Sequence, residues 1–376
     1  MNTTSTNLFL AAFPFWCSLI LLPMVAVMSV FGGWTLLLAP VLTSVLLATL
    51  DQFVGQDRSG LDPETAEAKL FWYRAITLIW APLQLCLVFG TLAYVTRTDH
   101  LAIWEELLLF ISVGFVTGAI GIVYAHELMH QKNRIERWLG DILMCVVLYG
   151  HFRSEHLLVH HRYVGTPRDP VTARYNEHFY AFFRRVLPEC LRSAFNTERS
   201  MLARKGLPWW HRSNPFWRYA VLQLGFLALA AIIGGLWGLA LFLLQAFFAV
   251  LYLEMINYME HYGLTREHLG DGKYEHVKPH HSWNAEHKVS NWFLINLQRH
   301  SDHHYKPNRR FPLLQTYDEE TAPQLPHSYP LMAVMAFVPP VWLRVMNARV
   351  RKWRKLHYPH ITDWEPYKKA SHPLPR

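Results

Sequence analysis

Nine of the 22 histidines in this 376-residue chain fall into four short clusters. The first is His126 and His130, in HELMH. The second is His156, His160 and His161, in SEHLLVHHRYVGTPRDP. The third is His261, in NYMEHYG, and the fourth is His300, His303 and His304, in LQRHSDHH. Spacings of three, four or five residues let a helix turn several imidazoles toward one point. Nine such rings without an acidic majority beside them would repel one another if protonated. They are stable together mainly as neutral ligands to cations. An all-nitrogen donor set suits zinc, copper, iron or nickel. Nine donors exceed the roughly six positions of one ion, so two ions are implied. His100, His178, His211, His327 and His357 stand alone and read as surface or packed residues. His276, His280, His281 and His287 lie near the last cluster but outside it and read as surface or supporting residues.

HELMH also fits HExxH, the zinc-protease helix whose Glu is a general base. A protease of that kind needs one further ligand, and seven further histidines argue against it. Glu127 then reads as a residue that orients a ligand. Glu155, Asp169, Glu260 and Asp302 adjoin the clusters and could accept the second N–H of a ligating ring. Glu254 and Asn257 lie seven and four residues before His261, on the same face of a helix. A carboxyl at the base of a lipid span is costly unless partnered. Both a helix-to-helix hydrogen bond and support of a ligand remain open for that pair.

The elements that must position these residues are apolar. Just over half of the residues are hydrophobic, and the first charged one is Asp51. A membrane-crossing helix needs about 20 such residues. The pattern predicts spans at 8–31, 34–50, 75–96, 107–125, 217–234 and 236–258, with hairpin turns at Gly32-Gly33 and Gly234-Gly235. Pro14, Pro23, Pro40 and Pro82 fall inside spans, where kinks are tolerated. The N-terminus lacks the basic region of a secretory signal, and a second span follows at once. Lys and Arg number 14 in 126–215 and 17 in 262–376, against none in the two glycine turns. That asymmetry places both basic regions, and all four clusters, on the cytoplasmic face. The expected fold class is an all-α membrane protein: six transmembrane helices with a cytoplasmic histidine-rich catalytic cap, one domain over 1–376. The proline-containing segment 327–343 is expected on the membrane surface. Cys17, Cys86, Cys145 and Cys190 are far apart and suggest neither a disulfide framework nor a zinc knuckle. A metal transporter would place its ligands near mid-membrane on broken helices, whereas these sit at span ends.

The phrases HELMH, EHLLVHHRYVGTPRDP, NYMEHYGL and HSWNAEHKVSNWFLINLQRHSDHH together resemble the bacterial membrane-bound alkane 1-monooxygenases. The bare boxes are shared with membrane desaturases and hydroxylases; the HYG phrase and the HSWN…LQRHSDHH block are the specific parts. The resemblance spans about residues 70–320. It implies a non-haem di-iron centre held by His126, His130, His156, His160, His161, His261, His300, His303 and His304, with O2 as co-substrate. It implies terminal hydroxylation of medium-chain n-alkanes taken from membrane lipid, in a multi-pass protein of the bacterial inner membrane. The family often has a glycine where this chain has Val159, and a basic residue where it has Gln131; both bear on substrate preference rather than on the reaction. Xylene-type methyl hydroxylation is the runner-up, then fatty-acid desaturation or hydroxylation. Electrons are implied to come from rubredoxin, fed by rubredoxin reductase and a nicotinamide cofactor, as a separate protein or a domain fused beyond residue 376. Arg309 and Arg310, just after the last cluster, are the expected docking residues for that acidic carrier. Arg349, Arg351, Lys352, Arg354 and Lys355 form a second basic run, for which anionic lipid headgroups compete. No nucleic-acid partner is expected. Replacing any one of the nine clustered histidines by Ala should lower bound metal, read by elemental analysis of purified protein. His178→Ala and His327→Ala should leave it at the wild-type level.

Overall fold

Lipid forces backbone polar groups to be satisfied within helices, and helices dominate this chain. The structure, a computed structural model, describes residues 3–364 and 367. Among them the one sheet is a two-stranded antiparallel hairpin, His268–Gly270 against Lys273–Tyr274. Leu8–Phe31, Gly33–Val54, Glu67–Val95 and Ile103–Met129 are long and apolar enough to cross a membrane, as is the stretch Pro215–Glu260. Gly234 and Gly235 have non-helical backbone angles and split that last stretch. A Cβ on Gly238 would stand 2.9 Å from the Ala230 carbonyl oxygen. Eight residues of straight helix would separate the two by about 12 Å. The chain therefore doubles back at the glycines, as their run in the sequence suggests.

Several span boundaries differ from the sequence reading, and partnered carboxylates account for two of the shifts. The second span runs on to Val54 and takes in Asp51. Asp51 is buried, and its Oδ1 accepts the N–H groups of Val289 and Ser290, each at 3.0 Å. The fourth span starts at Ile103, four residues earlier than expected, with two glutamates in its first turn. Glu105 accepts the Ala102 and Gly33 N–H groups at 2.8 and 2.7 Å, and Glu106 accepts the Trp237 indole N–H at 2.5 Å. Acids are favoured at that helix end, where free N–H groups point outward. The same span ends at Met129, so His126 lies within it rather than beyond it.

Span four is the middle of the bundle. Its apolar window is 78% buried, against 28% and 22% for the first two spans. Glycines let its neighbours close in. A Cβ at Gly114 would meet the Gln245 carbonyl at 2.7 Å, one at Gly118 the Ala249 backbone at 2.7 Å, and one at Gly121 the Gln84 side chain at 1.9 Å. The small residues serve helix packing here. The segment expected on the membrane surface forms two helices, Tyr329–Ala336 and Pro339–His357, bent by 119°. Tyr329, Met332 and Ala336 are buried, so the first of them packs on the spans.

Contacts sort the two ends of the bundle. The Gly33 N–H meets Glu105, Gly234 abuts Thr96, and His100 Nε2 lies 3.0 Å from the Ser29 carbonyl. These turns share one end, and the histidine clusters come together at the other. In a Cys86→Ser background, Asp99→Cys and Asn308→Cys should label from opposite sides of sealed vesicles with an impermeant maleimide. Labelling of both from one side would contradict this arrangement.

Candidate metal centre

The four clusters converge from four helix ends into two sets. His126, His130, His156, His161 and His303 form one, and His160, His261, His300 and His304 the other. In the first, Nε2 of His156 lies 2.9 Å from that of His126 and 3.0 Å from those of His130 and His161. His303 Nε2 is 3.1 Å from His161 Nε2. In the second, His304 Nε2 is 3.2 Å from His160 and 3.0 Å from His300, and His300 is 3.0 Å from His261. One imidazole nitrogen carries at most one proton, so His156 Nε2 cannot hydrogen-bond to three others. Nitrogens bound to one ion at about 2.1 Å and right angles stand about 3.0 Å apart. The donor sets fit two metal ions of borderline softness.

Local backbone decides the sorting. Residues His156–His160 form a π turn, in which the His161 N–H reaches the His156 carbonyl. The wide turn puts residues five apart on one side, so His156 pairs with His161 while His160 faces the other set. Such turns recur at functional sites. A second π turn, Thr117–Gly121, precedes His126. In the helix His300–Tyr305, His300 and His304 stay together and His303 crosses to the first set. The turn before it holds Ile295 and Asn296 at φ of +42° and +57°. Positive φ is strained for a β-branched residue, and the Asn296 side chain anchors the turn by donating to the Phe311 carbonyl at 3.1 Å.

The electrostatics keep the rings neutral. Burial first, and neighbouring imidazoles second, hold His130, His156, His161, His303 and His304 well below the usual histidine range. The same causes act on His261 and His300. Asp169 sets the tautomer of His160. The ring Nδ1–H donates to Asp169 Oδ2 at 2.9 Å, and Thr172 Oγ1 donates to the same oxygen at 2.7 Å. His160 Nε2 is therefore bare and faces its set.

The other polar residues singled out from sequence divide. Glu260 Oε2 stands 3.3 Å from His300 Nε2, on the metal side of that ring rather than at its second nitrogen. Its Oε1 accepts the Tyr329 hydroxyl at 2.9 Å. Glu127 reaches no box histidine; it accepts from Gln131 Nε2 at 2.9 Å and from the Phe311 N–H at 3.2 Å. Gln131 thus donates to Glu127, and Arg310 supplies a charge 3.9 Å away. Glu254 accepts from the Tyr149 hydroxyl at 2.8 Å, a bond between elements, and from Asn257 Nδ2 on its own helix at 3.1 Å. Asp302 accepts from Arg309, Gln315 and Tyr317 and ties the last box to the chain beyond it. Glu155 is buried with neither oxygen hydrogen-bonded among the described residues. Burial, then Asp169 and Glu254, push its carboxyl well above the usual range. Arg309 and Arg310, expected to dock an electron carrier, are both ion-paired. Arg309 is paired with Asp302 at 2.6 Å, and Arg310, buried, with Glu67 at 2.5 Å and Glu136 at 3.0 Å. Tyr329, Tyr149 and Thr172 were not foreseen, since a lone hydroxyl far along the chain carries no spacing signal.

Glu275, His280 and His281 form a third close group. His281 Nδ1 accepts the Lys278 backbone N–H at 2.9 Å, so its proton sits on Nε2 and that nitrogen is no ligand. Tyr358 donates to Glu275 and receives the Nε2–H groups of His280 and His281 at 3.1 and 2.7 Å. Every polar atom facing the centre of that cluster has a partner, and it reads as structural. At the two histidine sets, Asp169→Asn should weaken metal binding by about 10–100-fold by freeing the His160 tautomer. Chelator competition measures it, and Tyr358→Phe should leave metal affinity unchanged.

The fatty acid desaturase family model matches residues 102–335, which hold all nine histidines. The chain is 39% identical to alkane 1-monooxygenase 2 of Pseudomonas aeruginosa, over 85% of each chain. It is 37% identical to alkane 1-monooxygenase 1 of Alcanivorax borkumensis, over 85% of this chain and 80% of that one. Identity to the xylene/toluene monooxygenase hydroxylase component of Pseudomonas putida is 25%, over 86% of this chain and 85% of that one. With nine histidines gathered into two donor sets at the ends of apolar helices, and these relatives covering most of its length, the chain belongs to the alkane 1-monooxygenase family.

Proposed function

We propose that this protein is a single-domain enzyme of the bacterial inner membrane that hydroxylates the terminal methyl of medium-chain n-alkanes. The boxes and basic regions face the cytoplasm, as the Lys and Arg asymmetry suggests. The observation that carries the reading is the pair of histidine sets at the ends of helices that also line an apolar cavity. That cavity, of about 300 Å³, is lined by residues such as Phe115, Ile120, Tyr252, Met255, Ile256 and Met259. Ile120 lies six residues before His126, and Met259 lies two before His261. A saturated chain entering from lipid would meet a mainly apolar wall there. The more similar relatives are named for alkanes, and the xylene/toluene relative is more distant.

The reaction takes R–CH3, O2, two electrons and two protons to R–CH2OH and water. Two iron ions, one per set, would supply the redox power to activate O2 and abstract hydrogen from an unactivated C–H bond. The chain's own residues supply the rest. Nine imidazoles would present nitrogen donors, Asp169 holds the His160 ring with Nε2 toward its set, and the apolar cavity offers a surface for the hydrocarbon chain. Both protease histidines of HELMH stand in the five-nitrogen set and Glu127 is turned away from it, which removes the zincin reading. The electrons need a carrier, since the chain has no CxxC or dinucleotide-binding motif. Rubredoxin with its reductase fits the family resemblance, and the name of the xylene/toluene relative describes one component among others.

Purified protein in lipid should contain two irons per chain. With a reducing system it should convert octane to 1-octanol carrying one 18O atom from 18O2. A preparation containing one zinc and no iron, or faster turnover of m-xylene than of octane, would count against the reading. Ala119→Phe, on the cavity wall, should lower the decane-to-hexane product ratio by roughly tenfold while iron content stays constant.

A further inference from the structure

The short helix Lys288–Phe293 has a pocket on each side. Ser290 and Phe293, with Leu294 just past its end, line the apolar cavity. Lys288, Asn291 and Trp292 line a second pocket, of about 200 Å³. Spacings of three and four residues put each trio on its own side of a helix. Asp51 pins the helix between the two by accepting the Val289 and Ser290 N–H groups. The second pocket is amphipathic. Ala11, Phe15, Leu61 and Tyr73 give it an apolar wall, and Asp57, Ser59, Asn291 and Arg299 a polar one. Ala11, Ser59 and Gly60 are exposed, so it opens near the starts of the first and third spans, at the histidine end of the bundle. Arg299 donates its Nη atoms to the carbonyls of Leu314, Ser59 and Asp57, but its Nε is buried without a partner among the described residues. Asn291 donates Nδ2 to the Ala285 carbonyl at 3.3 Å, and its Oδ1 is likewise buried without a partner. A buried donor and a buried acceptor left open cost free energy until a ligand meets them. The charged groups of the lining are Asp57, Lys288 and Arg299. Buried Glu286 acts on Arg299 and Asp57 from outside it, and Arg58 pairs with Glu319 at 4.0 Å. With these neighbours three acids face three bases, so net charge does not select an anion.

We propose that this second pocket binds a medium-chain primary alcohol, the chemical class of the reaction's product, on its way from the apolar cavity to the membrane surface. That the alcohol is the product rests on the hydroxylase reading above. A hydroxyl both donates and accepts. It can donate to Asn291 Oδ1 and accept from Arg299 Nε while its alkyl chain lies against Phe15, Leu61 and Trp292. An alkane offers neither bond. A carboxylate only accepts, and would leave Asn291 Oδ1 unmet. Oxidation of the chain end thus exchanges a ligand suited to one side of the helix Lys288–Phe293 for a ligand suited to the other. That difference in fit gives the product a direction of departure.

The test uses full-length iron-loaded enzyme in lipid nanodiscs and a photoreactive octanol that carries a diazirine on its chain. After illumination the modified residues are mapped by peptide mass spectrometry. Label should fall on Phe15, Leu61 or Trp292. Excess 1-octanol should reduce it by roughly tenfold, by mass action, while excess octane or octanoate should leave it unchanged. Ala11→Trp, which narrows the mouth from an exposed position, should lower the label by a similar factor with iron content unchanged. Ala119→Phe, in the apolar cavity across the helix, should leave this label at the wild-type level. Label that octanol does not displace, label found only at cavity residues such as Phe115 and Met255, or equal protection by octane or octanoate would overturn the alcohol site. If Ala11→Trp loses its iron, the protection series on wild type decides alone. Conversion of octane to 1-octanol by the same preparation is measured in parallel. Absent conversion with the label in place overturns the hydroxylase reading and leaves an alcohol site. Absent label with conversion intact overturns the pocket alone.

Discussion

The rest of this structure depends on holding nine imidazoles, seven of them buried, with their Nε2 atoms turned on one another at about 3 Å. Without a cation that arrangement sets lone pair against lone pair, or N–H against N–H, in a medium that screens neither. Burial keeps the rings neutral, and neutral rings are what a metal takes. Binding of metal and packing of the four clusters are therefore coupled: the ions offset a repulsion that packing alone would have to bear. The boxes sit at helix ends because only there can four chain segments point side chains at one small volume without unsatisfying their own backbones.

Several fixtures around the site are buried charges held by partners. Asp51, the first charge in the chain, ends the second span on the N–H groups of Val289 and Ser290. Arg310 joins Glu67 and Glu136, and Glu136 also meets Arg74 at 2.8 Å. That network links the start of span three, the helix after the first box and the segment after the last. Removing one member of such a group leaves a bare charge in low dielectric, a penalty larger than the worth of a surface pair. It also shows how cations next to a functional block in sequence can be held in ion pairs: Arg309 with Asp302, and Arg310 with Glu67 and Glu136.

Much of the fold was legible because lipid imposes a strong rule. Long uncharged runs must be helices, and paired glycines within a run must be turns, as Gly234 and Gly235 prove to be. The run ends were less legible. Asp51 reads as a boundary on hydropathy, yet it lies inside a helix because two backbone donors from residues 238 and 239 positions away neutralise it. The segment around Tyr329 reads as surface on its prolines, yet it packs inward and places a hydroxyl on Glu260.

The sequence by itself determined which residues could hold metal, since imidazoles at helical spacing have few other uses in such numbers. It also determined that they gather at one end of an apolar bundle, since charge and span lengths leave little freedom. Only the tertiary structure decided which ring joins which set. On a regular helix His156 and His160 would be neighbours, but a π turn pairs His156 with His161 and sends His160 across to His304. His303 leaves its own cluster to meet His161, 142 positions earlier. The supporting carboxylates were open for the same reason. Asp169 reaches a ring nitrogen while Glu127 and Asp302 reach backbone and arginine. Adjacency along the chain limits where a side chain can reach, but the partner it finds depends on segments that meet only when the chain has folded.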